Sequence, residues 1–153
     1  MENSPIADWL KIFHIFAFAL GLGSAAAKYV MVLSQRYNVD GQRAQASEEL
    51  ALHLTKKLES RALGVAWLLG LLMTLINGNY WTSPWLHAKM AITIVMIGVS
   101  HMSAVVLRRI AKARANAESD DRIQAGKTRL AIFALAMALL SFITFYLVIF
   151  RPF

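Results

Sequence analysis

The chain contains no cysteine, which removes disulfides, thiolate metal sites and thiol nucleophiles together. Carboxylates are also scarce, nine Asp and Glu against sixteen Lys and Arg. No paired carboxylates fall inside the apolar stretches, and no phosphate loop, Ser-His-Asp order or zinc signature is present. The residue types left to carry chemistry are His, Met, Lys, Arg and the few acids. Charge of either sign is missing from four long runs, residues 12–27, 62–86, 90–107 and 130–150. Each run approaches the roughly 20 residues that a bilayer core demands of a helix. With 58% hydrophobic residues concentrated in these blocks, the expected architecture is all-α, a four-helix integral membrane bundle. The helices are expected at about 5–33, 55–78, 84–109 and 128–150, with links 34–54 and 110–127, in one membrane domain covering 1–153. The first run lacks the basic start and small-residue cleavage site of a secretory signal and is read as retained.

The formal net charge is +7, and its placement argues for membrane topology and against nucleic acid. Arg36, Arg43, Lys56, Lys57 and Arg61 collect between the first two spans; Arg108, Arg109, Lys112, Arg114, Arg122, Lys127 and Arg129 collect between the last two. The other ends carry only Lys11, Lys89 and Arg151. By the positive-inside rule both long links are cytoplasmic and both termini outside. The reading is a multi-pass protein of the bacterial inner membrane, with lipid as its first partner. Trp9, Tyr80, Trp81 and Trp85 mark the outer interface, where amphipathic aromatics settle.

Proline occurs three times, and two of those residues read as punctuation. Ser4-Pro5 and Ser83-Pro84 resemble an N-cap followed by proline at the first helical position, where its missing N–H costs nothing. The short link 77–83 predicts a tight antiparallel hairpin. Residues 34–55 are expected to continue as helix toward His53, and 110–127 to extend the third span and then turn flexibly at Gly126. In the first helix Gly21, Gly23, Ala25 and Ala27 form two small-xxx-small pairs, and Ala62, Ala66 and Gly70 repeat the pattern in the second; both suit close helix packing.

Ionisable groups inside apolar helices are the functional clue, because a charge there costs about 2.5–3.5 kcal/mol on insertion scales. At 1.5 Å per residue His14 lies about 13 Å down the first helix and Lys89 about 7–8 Å down the third, in the same leaflet. His87 points nearly opposite to Lys89 and, two residues after Trp85, suits the interface. His87 and His101 are fourteen apart, about four turns, which returns them to nearly one face, a spacing that stacked b-type haems use. Lys28 closes the first run and is expected to snorkel toward the headgroups. Met90 and Met102 are candidate soft thioether ligands for haem iron or copper(I).

Three segments carry a family resemblance. Trp9-Leu10-Lys11-Ile12-Phe13-His14 is similar to an opening Trp-x-Lys-x-x-His, Lys57-Leu58-Glu59-Ser60-Arg61 to a basic start of the second helix, and Trp85-Leu86-His87-Ala88-Lys89-Met90 to Trp-Leu-His-x-Lys-Leu. The chain thereby resembles the small membrane protoporphyrinogen IX oxidases called HemJ, whose broader relatives include CopD-like copper proteins. The resemblance implies a protein carrying haem b that oxidises a porphyrinogen substrate and passes electrons toward quinone. It implies His14 as axial ligand of the haem iron and Arg61 and Lys89 as catalytic companions; His87 and His101, by their fourteen-residue spacing, are further cofactor-binding candidates. Gly21-Leu22-Gly23-Ser24 and Lys28 stand where that family has Trp-x-x-Gly and then an arginine. Competing expectations are a non-catalytic small subunit of a larger membrane complex, a homo-oligomer packed through small-residue faces, and a copper-handling protein using His14, His87 and methionines.

Overall fold

The computed structural model describes residues 5–34, 41–76 and 81–150. Five helices account for nearly all of them: α1 (Pro5–Ser34), α2 (Gly41–Leu54), α3 (Ser60–Ile76), α4 (Pro84–Ala115) and α5 (Asp120–Phe150). A π-helical turn, Thr55–Glu59, joins α2 to α3, so that Gly41–Ile76 runs as one 36-residue rod. Four helices are long and apolar enough to cross a membrane: α1, that rod, α4 and α5.

The spans alternate in direction and close into a ring. α1 packs on α3, α3 on α4, α4 on α5 and α5 back on α1, the α1–α3 and α4–α5 seams being the most extensive. Two observations give the antiparallel sense of the α1–α3 seam: His14, early in α1, meets Ala66 of α3, whereas Lys28, late in α1, meets Glu59 at the start of α3. Gly21 makes this seam possible, because a Cβ there would stand 2.8 Å from Leu63 Cδ2 and 3.3 Å from its backbone nitrogen. Ala25 is buried in the same seam, while Gly23 faces open space, so one of the two small-residue pairs packs and the other does not.

The distribution of polarity is inverted relative to a water-soluble bundle. Phe142, Ile149, Ile6 and Val30 are each about two-thirds exposed or more, at 73, 70, 70 and 68%. Lys28, Glu59, Thr55, Ser100 and Ser103 are fully buried at 0%. Apolar side chains outside and polar groups gathered inside, most of them partnered, are what hydrocarbon demands. Most buried hydroxyls donate to the carbonyl four residues back, as Thr55 does to Ala51, Thr74 to Gly70, Thr93 to Lys89 and Ser103 to Val99.

The ends of the helices correct several expectations. Ser83 sits at the N-cap of α4 in an extended conformation with Pro84 following, but its side chain makes no capping bond; the turn is held by Leu86 N–H donating to Ser83 O at 3.1 Å. The corresponding Ser4 cap falls outside the described residues, as do Tyr80 of the aromatic belt, Arg36 and Arg151. Gly126 is no turn: it lies within α5, and its missing side chain admits Ile110 of α4, whose Cγ1 would be 2.6 Å from a Cβ. The chain reverses instead at 116–119. There Glu118 N–H donates to Ala113 O at 2.9 Å and Ala117 N–H to Arg114 O at 3.1 Å, a Schellman closure with Ala117 at φ 50°.

Candidate functional site

His14 and Lys89 meet. The His14 ring places Nδ1 2.7 Å from the Ala66 carbonyl of α3, and Lys89 Nζ lies 3.4 Å from Nε2. A carbonyl can only accept, so Nδ1 carries the proton and Nε2 presents its lone pair. The tautomer is thus set by the backbone of a neighbouring helix, the arrangement by which proteins orient a ligating imidazole. Gly70, one turn after Ala66, makes room for the ring: a Cβ there would stand 3.2 Å from His14 Cε1. Among the described residues Lys89 has no ion-pair partner, and its side-chain contact is the lone pair of Nε2.

Both side chains line a cavity of about 490 Å³ at the end of the bundle where α1 and α4 begin. That volume lies within the roughly 300–1,000 Å³ usual for cofactor and small-molecule sites. Its walls are apolar and aromatic, with Phe18, Trp67, Trp85 and Phe145 beside the thioethers of Met73 and Met90. Polar character comes from His14, Lys89 and Lys11, and from threonines 74, 93 and 144. Each threonine hydroxyl donates to its own helix and retains lone pairs. Lys11 pairs with Asp8 at 3.4 Å, both exposed, an arrangement that contributes little. Trp67 leaves its buried indole N–H without a hydrogen-bond partner. The site therefore holds surplus donors, and among the described residues the cavity wall contributes no carboxylate. Ile15 and Val148, 66 and 40% exposed, belong both to the wall and to the outer surface, so the α1–α5 seam gives lateral access from the lipid side.

The remaining sequence candidates lie elsewhere. His87 is exposed, its ring 6.5 Å from that of Trp81 in a tilted contact, and His101 is exposed further along α4; neither lines the cavity. Arg61 is exposed at the start of α3, away from His14 and Lys89, and also does not line the cavity. Of the two candidate thioethers Met90 lines the cavity, while Met102 is 56% exposed on the outside.

Lys28 does not snorkel. It is fully buried, with Nζ 2.9 Å from Glu59 Oε1 and 2.7 Å from Oε2. Only the first contact is aligned as a hydrogen bond; Oε2 has none, so the second is purely electrostatic. The ammonium also sits 4.2 Å from the centroid of the Tyr29 ring, whose hydroxyl bonds Ser103 at 2.9 Å. Glu59 comes from the π turn, where the extra residue re-aims the following side chains. The only sequence sign of this pair is a carboxylate amid the cations of Lys57-Leu58-Glu59-Ser60-Arg61. Nothing in linear spacing connects it to Lys28. At the same end of the bundle Arg114 grips the buried Glu48 in a two-pronged contact, Nη2 to Oε1 at 2.8 Å and Nε to Oε2 at 3.0 Å, tying α2 to α4.

A family model described as predicted integral membrane protein, DUF2269, matches residues 8–151. No curated protein and no solved structure matches the chain.

Proposed function

We propose that this chain, which belongs to the DUF2269 family of predicted integral membrane proteins, binds haem b through His14 in the cavity between its spans and acts there as a membrane oxidoreductase on a porphyrinogen. The observation that carries the reading is the His14 tautomer: Nδ1–H is committed to Ala66 O, so the lone pair of Nε2 is presented beside Lys89 at the cavity wall. The donor set favours a porphyrin over a bare ion. Among the described residues no group of three or more His, Cys, Asp or Glu could hold a metal. An isolated copper ion would find one imidazole and the thioethers of Met73 and Met90, whereas haem brings four nitrogen ligands of its own and needs only axial ones from the protein.

His14 would hold the iron, and Met90 or Met73 is placed in the wall as a soft second donor. When bound, haem b supplies one-electron chemistry. Lys89 now donates to Nε2, so ligation requires it to let go. A ligand carboxylate is the natural compensation for an ammonium without a counter-ion among the described residues, and Lys11 and the Trp67 indole N–H supply further donors for acidic substituents. Lateral access at the α1–α5 seam suits substrates that travel in the bilayer, as porphyrinogens and quinones do. The resemblance of the His14 and Lys89 segments to the protoporphyrinogen oxidase type supports the same reading. Arg61, outside this cavity, would serve at the membrane surface. The basic end of the bundle would face the cytoplasm of a bacterial inner membrane.

The test is the absorption spectrum of protein purified from haem-replete cells. Wild type is expected to show a Soret band that is lost in His14→Ala while helical circular dichroism is retained. A wild-type protein without that band, or an His14→Ala protein that keeps it, overturns the haem assignment. Rescue of a strain lacking its own protoporphyrinogen oxidase, abolished by Lys89→Met, then tests the substrate.

A further inference from the structure

A second recess opens on the opposite end of the bundle, between α4 and α5, with a volume of about 410 Å³. We propose that it is a binding site for the phosphate headgroup of an anionic phospholipid. Four cations surround it, Arg109 and Lys112 from α4 and Arg122 and Arg129 from α5, with Glu118 as the one carboxylate. Arg122 Nη1 donates to Glu118 Oε2 at 2.7 Å, and that bond, with Lys112 nearby, holds the Glu118 carboxyl below the usual carboxylate range. The acid is thus spent on Arg122. Arg109 and Arg129 have no hydrogen-bond or ion-pair partner among the described residues.

The floor explains why the cations converge there. Ile110 seats against the bare backbone of Gly126, which draws α4 and α5 together and leaves the recess between their flanking arginines. Cations that frame a concave apolar floor differ from a solvated basic face, and guanidinium groups match phosphate oxygens in pairs. Basic pockets between helices at a membrane surface are suited to lipid headgroups.

The surroundings favour a lipid over free phosphate. The recess lies where the uncharged runs end, Arg108 following Leu107 on α4 and Arg129 preceding Leu130 on α5. At helical spacing Met102 lies two turns from Arg109 and Ile132 one turn from Arg129, toward the membrane on the same faces, 56 and 60% exposed. A headgroup held by the arginines would lay its acyl chains along these side chains. A free phosphate would make no use of them. This inference is independent of the haem proposal.

The experiment uses the full chain in a neutral detergent, with lipid adducts counted by native mass spectrometry and the thermal midpoint followed in parallel. Phosphatidylglycerol is expected to be retained at least tenfold more than phosphatidylcholine with the same chains, and to raise the midpoint. Arg109→Gln/Arg129→Gln, which leaves the Arg122–Glu118 pair in place, is expected to lose that preference. Equal retention of the two lipids by wild type overturns the proposal, and needs no variant to fold. A folded double variant that keeps the preference also overturns it. Inorganic phosphate reproducing the midpoint rise at the same concentration would assign the recess to a free anion and overturn the lipid.

Discussion

A single missing methyl group decides how His14 sits. Gly70 leaves the space that the imidazole fills, with a Cβ position only 3.2 Å from Cε1. Gly70→Ala is therefore expected to push the ring by a few tenths of an ångström and loosen its 2.7 Å bond to Ala66 O. Under the haem proposal the expected readout is reduced haem content and a shifted Soret maximum at unchanged helicity. Gly64→Ala, on the same helix with nothing within 4 Å, is the control that should leave the spectrum alone. Lys28 and Glu59 give a second prediction. Removing one partner of a buried ion pair strands the other charge, at a cost of about 3–5 kcal/mol, whereas replacing both with apolar groups is often neutral. Lys28→Met is expected to lower the thermal midpoint strongly, and Lys28→Met/Glu59→Leu to recover most of the loss; a double variant no better than the single would sink this account. These two examples mark what the sequence could reveal at this scale. His14 and Lys89 stand out because an ionisable residue in an apolar run has few bland explanations, and counting turns from the two prolines puts them in one leaflet while leaving Lys89 and His87 both open as the partner of His14. Lys28 stands out equally by composition, but its partner lies 31 positions away and is aimed by a π turn that no residue pattern announces.

The same contrast holds for the elements. The uncharged runs reveal four spans because hydrocarbon imposes a length and forbids charge, yet they do not reveal where helices stop in water. α4 continues to Ala115 and α5 begins at Asp120, both well into charged sequence, because helical backbone satisfies itself at any polarity and α4 packs there on both α2 and α5, with Ala44, Ile110, Ala113 and Ile123 buried. Gly126 read as a turn because glycine is the commonest breaker; it serves instead as a place where Ile110 enters. Gly126→Ala is expected to destabilise the hairpin, with Gly126→Ala/Ile110→Ala regaining part of the loss in thermal unfolding. The true turn makes the opposite prediction. Ala117 holds φ 50°, where a Cβ costs about 1–2 kcal/mol relative to right-handed geometry. Ala117→Gly is expected to raise stability by about 1 kcal/mol, since glycine is at ease in this position of a Schellman closure. A neutral or lower midpoint would count against that closure.

Across the whole molecule the two ends are chemically unlike, and the difference argues for a direction in the membrane. The end with the His14 cavity carries Trp9, Trp81 and Trp85 and few cations, among them Lys11 and Lys89. The other end carries the arginines and lysines of the α2 and α4–α5 region, where Glu48–Arg114 and Lys28–Glu59 consume the buried carboxylates. Cations left over at one end resist translocation and set orientation. The bundle is therefore expected to keep the turn at 116–119 in the cytoplasm and to present the cavity end outside. Because the chain has no cysteine, one introduced thiol reports topology without background. In intact cells a membrane-impermeant maleimide is expected to label Thr82→Cys, beside the N-terminus of α4, and to spare Ser119→Cys, exposed in the basic turn; permeabilised cells should label both. The reverse pattern would turn the bundle over, and would place the cavity and its lysine on the cytoplasmic side.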